Sequence, residues 1–522
     1  MGGEGMSILS MDFLCFAGLT LAVYYILPRS VRAWSLLAFS AVFVILNGWQ
    51  GVAHLLAVSV VSYVGALGLQ KLRRAEKAQG KETDAKKYVR FRRLVLFLLL
   101  TLDLGAMLFL KFYPKLAAWL NGGWLRASPL PIWDLIVPLG LSYFTFQSMG
   151  YLIDVYRGKA EAAKNPLKTL LFTGYFLYLP QGPISTWREL EGPLTHGNLA
   201  DPVLLVSGFQ LTVWGYFKKL VVADRLALIT AAVLGARPKM PGWMAMGGAV
   251  CYAVRLYADF SGGVDVVRGI SRMLGVELPE NFRRPFFAAS VADYWRRWHI
   301  TLGAWFRSYL LYPLAAARFN VALGRAAGKV LGKKTGRMLP TALAAILLFL
   351  LVGLWHGADW NPLIYGGYFG VIVALSLLLE PMWKWMGKML RLPKGGWMTP
   401  VRVVRTWLII LLPQFFAYTP TPEKAFSLMG RAFDFSSWDF STFTTRCLII
   451  MPTLEWCILG GAFLLLVVVD ILSEKKKDLS GRLARKPLYI RWPLIILLIV
   501  IVLVFGCYGT DFEAADFVYT QF

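Results

Sequence analysis

What most constrains this chain is a succession of apolar runs, each near the roughly 20 residues that a helix needs to cross a bilayer core of about 30 Å. They lie near residues 8–27, 33–48, 52–69, 94–113, 132–156, 168–185, 203–234, 243–260, 340–358, 361–381, 401–418, 449–472 and 490–508. Of the 522 residues 57% are hydrophobic and 16% charged, where a soluble protein has roughly 25% charged. So few charges cannot clothe a water-facing surface, which excludes soluble, disordered and collagen-like classes. Lipid offers no water to an open backbone, so the spans must be helical. The sequence thus predicts an all-α polytopic membrane protein forming a single domain over residues 1–522. Pro, Gly or a charge interrupts several runs, so about 12 crossings are expected, with other helices re-entrant or interfacial.

Lys and Arg number 55 against 30 Asp and Glu, a formal net charge of +25. In a soluble chain such an excess suggests nucleic acid. Here the cations cluster between apolar runs, the pattern of segments retained in the cytoplasm, and no nucleic-acid partner is expected. Residues 70–93, with Lys71, Arg73, Arg74 and Lys77 at one end and Arg90, Arg92 and Arg93 at the other, are read as a basic cytoplasmic loop. Arg29 and Arg32 between the first two runs agree, and three spans before the loop put the N-terminus outside. Residues 419–445 are more acidic and aromatic and read as external. The tail at 509–522 is then extracytoplasmic too. The first run lacks a basic flank and a small-residue cleavage site, so it reads as a span and not a signal. Five cysteines, Cys15, Cys251, Cys447, Cys457 and Cys507, are scattered without a CxxC pair, which indicates neither a disulfide framework nor a zinc ribbon.

Two stretches carry polar residues that membrane insertion alone does not explain. Residues 255–315 hold Arg255, Asp259, Asp265, Asp293, Arg296, Arg297, His299 and Arg307 among aromatic side chains. A charge near the bilayer centre costs at least roughly 2.5–3.5 kcal/mol, so this segment must face protein, a polar cavity or the cytoplasmic interface. A re-entrant polar core and a basic-aromatic interfacial helix both satisfy that condition. The second stretch is Gly353-Leu354-Trp355-His356-Gly357, followed by Asp359-Trp360-Asn361. His356 ends a long apolar run, and neutral imidazole, with an ordinary pKa of about 6.5, is the side chain best suited to take a proton near neutrality. A histidine satisfied by a neighbouring helix explains the same feature equally well. Of the four histidines, His54 and His196 lie among residues that suggest no chemistry, leaving His299 and His356. Two histidines without a carboxylate cluster do not make a metal site, and no Gly-x-Ser-x-Gly turn is present.

Several further motifs occur in order along the chain. They are Pro138-Leu-Gly-Leu-Ser-Tyr-Phe-Thr-Phe-Gln147 with Ile153-Asp154-Val-Tyr-Arg157-Gly158, then Leu179-Pro180-Gln181-Gly182-Pro183-Ile184. Trp214-Gly-Tyr-Phe-Lys218-Lys219 leads into Ala223-Asp224-Arg225, and Asp259-Phe-Ser-Gly262, Leu278-Pro-Glu-Asn-Phe282, Trp295-Arg-Arg-Trp-His299 and Leu354-Trp-His356-Gly357 complete the set. Together they resemble the membrane-bound O-acyltransferase family, in its bacterial alginate O-acetyltransferase-like branch. The sequence departs from that pattern at Ser308, where the family has an acid, and at Ala315-Ala316, where it has two glycines.

The resemblance implies helices ringing a thin centre with a tunnel from the cytosol to the outer face. It implies His356 as the essential histidine, His299 as a second polar position, and a bacterial inner membrane as the location. The expected reaction moves an acyl group, acetyl in the first instance, from a cytosolic thioester to a hydroxyl of an extracellular or cell-wall polysaccharide. No cofactor is expected to be bound; acetyl-CoA or an acyl carrier protein is the donor. His356 is expected to act as base, and His299 or the Asn361 amide beside Trp355 to meet the oxyanion. Arg296, Arg297 and Arg307 would hold coenzyme A phosphates, because a guanidinium fork suits phosphate. The ending Phe517-Val-Tyr519-Thr-Gln-Phe522 resembles those of relatives in which the tyrosine is proposed to pass the acyl group to an extracytoplasmic SGNH-like transferase or other polymer-synthesis protein. An aromatic anchor at the interface is the alternative there. A D-alanyl transferase for teichoic acid and a non-catalytic transporter or flippase are the other readings of the whole chain.

Overall fold

Ser10 caps the first helix, Met11–Ile26, by accepting a hydrogen bond from the Phe13 amide at 3.1 Å, which satisfies one of the donors a helix start leaves open. The same logic, long apolar helices broken at Pro and Gly, runs through the computed structural model. It describes residues 6–78, 82–123, 125–126, 128–133, 135–235, 240–330, 332–390, 396–475 and 478–508. About 80% is helical, and no strand occurs among the described residues. Among the described residues eight helices are long and apolar enough to cross a membrane: Arg29–Leu46, Trp49–Ala78, Lys86–Gly122, Lys333–His356, Trp360–Leu378, Met398–Tyr418, Thr453–Lys475 and Leu488–Phe505. The chain is an all-α multi-pass membrane protein.

It divides into two units. The first comprises residues 1–214, 263–279 and 480–492. Its helices Trp49–Ala78 and Glu82–Gly122 have 30 and 41 residues, hence lengths of about 45 and 60 Å at 1.5 Å per residue. Both outreach a bilayer core of about 30 Å. The basic stretch read as a loop therefore rides largely on helix ends, where Arg92 pairs with Glu76 at 3.1 Å. Inside this unit the Ser148 hydroxyl donates to Asp103 at 2.5 Å and meets the Ser62 hydroxyl at 2.6 Å. Buried polar groups thus find protein partners in place of water.

Several of the apolar runs are not continuous apolar helices, and the reason is local. In the run at 168–185 only Pro166–Gly174 is helical. Beyond it Tyr175, Phe176, Leu177, Tyr178 and Leu179 are at most 1% exposed in irregular chain, and Pro180 and Pro183 cannot extend a helix. This stretch is apolar because protein surrounds it. The run at 132–156 is helical only over Leu141–Arg157, after Pro131 and Pro138. The helix Gly242–Met273 is continuous but carries Arg255, Asp259, Asp265, Arg268 and Arg272, too many charges for a lipid-facing span.

The second unit comprises residues 215–262, 280–479 and 493 onward. It begins in a π-helical segment, Phe217–Ala223, which interrupts the apolar run at 203–234. Single π-turns inside α-helices recur at functional sites. Here the turn carries Lys218 and Lys219, and Asp224 follows it. Lys219 Nζ binds Asp259 Oδ1 at 2.7 Å and Asp224 Oδ1 at 2.9 Å. Lys218 Nζ donates to Ser261 Oγ at 2.9 Å, and Arg255 donates to the Thr230 hydroxyl at 3.0 Å. Three cations and two carboxylates thereby share one region, where each charge offsets part of the desolvation cost of its neighbours.

Candidate functional site

His356 is the last residue of the helix Lys333–His356, and Asn361 lies in the first turn of the helix Trp360–Leu378. The two helices pack with backbones nearly touching. A Cβ on Gly353 would lie 2.3 Å from the Pro362 carbonyl oxygen, and one on Gly366 2.3 Å from that of Phe349. Only glycine permits that approach. The hairpin thus holds the histidine and the amide at its tight end.

His299 arrives from a different direction. It joins two short helices, Val291–Arg297 and Ile300–Phe306, with its backbone in the left-handed region at φ 45°, ψ 54°. For a non-glycine residue that costs roughly 1–2 kcal/mol and must be held by its surroundings. Asn281 holds it. Its backbone carbonyl accepts from the Ile300 amide at 2.9 Å. Its side-chain Oδ1 accepts from the Thr301 amide at 3.1 Å and the Thr301 hydroxyl at 2.9 Å, and lies 3.2 Å from His299 Nδ1. Phe260 packs edge-on to the imidazole at 4.9 Å, and the Trp355 ring stands 6.3 Å away. His299 is 3% exposed and lies outside the long apolar spans. Burial, with His356 adding to it, pushes its pKa down to about 3, so it is neutral at physiological pH.

Both histidines line one cavity of about 230 Å³, together with Trp295, Asn361, Thr419 and Tyr252. Most of its wall is aromatic or aliphatic, as small-molecule sites usually are. Asn361 Nδ2 donates to the Thr419 carbonyl at 2.7 Å, which fixes the orientation of the amide. Its buried Oδ1 has no hydrogen-bond partner among the described residues, nor has the indole N–H of Trp295. The cavity therefore offers one unused acceptor and one unused donor near two imidazoles. Tyr252 donates to the Ala417 carbonyl at 3.0 Å. Its helix also brings Phe260 to His299, and the Lys219 cluster grips that helix through Asp259.

Of the residues singled out in the sequence, His356, His299 and Asn361 meet at this cavity. Trp355 stands beside it, its ring 4.6 Å from that of His356. The three arginines do not line it. Arg296 is mostly exposed, 3.8 Å from Asp293, whereas Arg297 is paired with Asp293 at 3.1 Å and Glu474 at 2.9 Å. Arg307 is half-buried in the π-helical segment Arg307–Leu311. Tyr519 and the rest of the tail lie outside the described residues. Among the described residues no three His, Cys, Asp or Glu side chains gather as a metal would require. Sequence reasoning missed Asn281 and Trp295 as individuals, although both fall inside motifs quoted above.

Fold and site together define a multi-pass membrane protein with a half-open, largely apolar cavity lined by two histidines, His299 buried and His356 half-buried. No family model matches the chain. It is 29% identical to a probable alginate O-acetylase of Azotobacter vinelandii over 68% of its own length and 64% of that protein's. It is also 29% identical to a peptidoglycan O-acetyltransferase of Helicobacter pylori over 55% of each chain. A teichoic acid D-alanyltransferase of Bacillus subtilis is 28% identical over 53% of this chain and 67% of its own. Over the matched stretches the chain is thus similar to membrane acyltransferases that act on polysaccharide and teichoic acid. For the first two relatives the matched stretch spans less than two thirds of their length.

Proposed function

We propose that this protein transfers an acyl group from a cytosolic thioester to a hydroxyl of a polysaccharide outside the cytoplasm. The observation that carries the reading is the convergence of His356 and His299 on one largely apolar cavity. Relatives named as O-acetyltransferases and D-alanyltransferases support the class of reaction. The acetyl branch is favoured over the D-alanyl one by the longer stretch of this chain that it matches, 68% against 53%.

In the proposed step the acceptor hydroxyl oxygen attacks the thioester carbonyl. A C–O bond forms, the C–S bond breaks, and the hydroxyl proton passes to the His356 imidazole and from it to the departing thiolate. General-base help of this kind is worth about 10²–10⁴-fold. The carbonyl oxygen becomes negative on the way, and a single well-placed donor there is worth about 2.7–4 kcal/mol. The Trp295 indole N–H is one candidate, and the second amide hydrogen of Asn361 is another. With acetyl-CoA as donor, Arg296 and Arg307 are the guanidinium groups best able to meet its phosphates, since Arg297 already binds two carboxylates. Onward passage of the acyl group through Tyr519 to an extracytoplasmic transferase, in the inner membrane of a bacterium, belongs to the same proposal.

Purified protein given radiolabelled acetyl-CoA, or a D-alanyl carrier protein, with a polysaccharide acceptor tests it. Label should move to the acceptor, or to Tyr519 when the onward transferase is absent, and be lost in His356→Ala. Undiminished transfer by that variant removes the base assignment. No transfer from any thioester favours a transporter.

A further inference from the structure

We infer that Asn281 fixes the His299 ring as the tautomer protonated on Nδ1, so that Nε2 carries the lone pair and His299 meets a substrate hydroxyl as an acceptor. The inference rests on the reading of the cavity as the transfer site and assigns Asn281 as a positioning residue within it.

One end of the Asn281 amide faces Thr301 and the His299 ring. At ordinary precision an amide's oxygen and nitrogen are interchangeable, and the hydrogen-bond network must decide. Here it does. The atom facing the Thr301 backbone amide, 3.1 Å away, must be an acceptor, because a backbone N–H can only donate. That atom is Oδ1, and the Thr301 hydroxyl at 2.9 Å donates to it as well. His299 Nδ1 lies 3.2 Å from this same oxygen. Two lone pairs facing each other at that separation, in a site from which water is excluded, would repel. A proton on Nδ1 turns the contact into a hydrogen bond. Neutral imidazole carries one proton, so Nε2 is the bare nitrogen. The alternative, a doubly protonated ring, is disfavoured by complete burial and by His356 nearby. The remaining titratable groups on the cavity are Asp359, Tyr252 and Tyr365.

This choice separates two roles that the residue type leaves open. A ring protonated on Nε2 would donate to the developing oxyanion. A ring bare at Nε2 cannot; it accepts from the attacking hydroxyl and orients it, with His356 as base. The backbone supports the assignment. The left-handed turn at His299 and the Ile300 amide bound to the Asn281 carbonyl at 2.9 Å fix the imidazole and the amide relative to one another through main chain as well as side chain. Outer partners that hold a histidine's tautomer in this way typically matter by 10–100-fold in metal affinity or activity.

The chain's four histidines make a direct measurement practical. Full-length protein labelled with ¹⁵N-histidine in lipid nanodiscs, with His299 assigned by the signal lost in His299→Asn, should show Nδ1 protonated and Nε2 bare at neutral pH. An Nε2-protonated ring, or an imidazolium, overturns the proposal whether or not any variant folds. In transfer assays Asn281→Leu should lower kcat by about 10–100-fold. Asn281→Asp places a carboxylate beside the ring and favours its charged form. It should therefore move the acid limb of the rate profile to higher pH and bring up an imidazolium signal. Wild-type rate, pH profile and nitrogen shifts in both variants would also overturn it. Wild-type protein inactive with every thioester would refute the proposed reaction instead, while the nitrogen spectrum would still decide the tautomer.

Discussion

A histidine at positive φ, neutral and enclosed, carries a consequence for stability that can be worked out by sign. The folded state keeps His299 uncharged down to about pH 3, whereas an unfolded chain binds that proton near pH 6.5. Above about 6.5 neither state is protonated and the residue has no effect on the pH dependence. Below it the unfolded state holds the extra proton, so stability falls by about 1.4 kcal/mol per pH unit until about pH 3. Thermal unfolding in detergent from neutrality to about pH 5 should therefore show a steeper loss in the wild type than in His299→Asn, whose side chain tolerates the left-handed turn. Equal slopes would mean that His299 is solvated. At this scale the two imidazoles were legible because histidine is rare here and one of them ends an apolar run. Asn281 and Trp295 were not. An asparagine gains its role only from a partner 18 residues away, and an indole only from having its N–H left without one.

At the scale of elements, the hairpin of Lys333–His356 and Trp360–Leu378 depends on glycines that face backbone. Gly353→Ala would force a methyl to 2.3 Å from the Pro362 carbonyl, and neither helix can yield without moving its neighbour. Overpacking of this kind costs about 1–3 kcal/mol. The variant should melt earlier and lose transfer, because His356 is displaced with the helix. Gly18→Ala, where a Cβ meets nothing within 4 Å, is the matched control and should do neither. The apolar runs announced this hairpin in the sequence, and Gly353 and Gly357 hinted at close approach. What the runs did not announce is that some apolar stretches are sheltered by protein alone. Hydropathy reports exclusion from water, and the buried segment after Gly174 is excluded from water without being a lipid-crossing helix.

At the scale of the whole molecule, charge asymmetry was the legible quantity and crossing number was not. The proposed orientation puts Arg74 in the cytoplasm and Thr444 outside, and both are exposed. With the native cysteines replaced, a membrane-impermeant maleimide applied to intact cells should label Thr444→Cys and spare Arg74→Cys, with both labelled after lysis. The opposite pattern would reverse the orientation. Crossing number was hidden because Pro, a π-turn and buried ion clusters break runs that composition alone shows as continuous. The irregular chain from Tyr175 to Leu179 bears on how such proteins are mapped. Its backbone is sheltered only while the rest of the unit is present. Reporter enzymes spliced behind it would strip away that shelter and send the stump wherever its bare oiliness leads. Gene-fusion maps of this protein and its kin should thus be expected to count a crossing at a stretch that is irregular chain in the intact polypeptide.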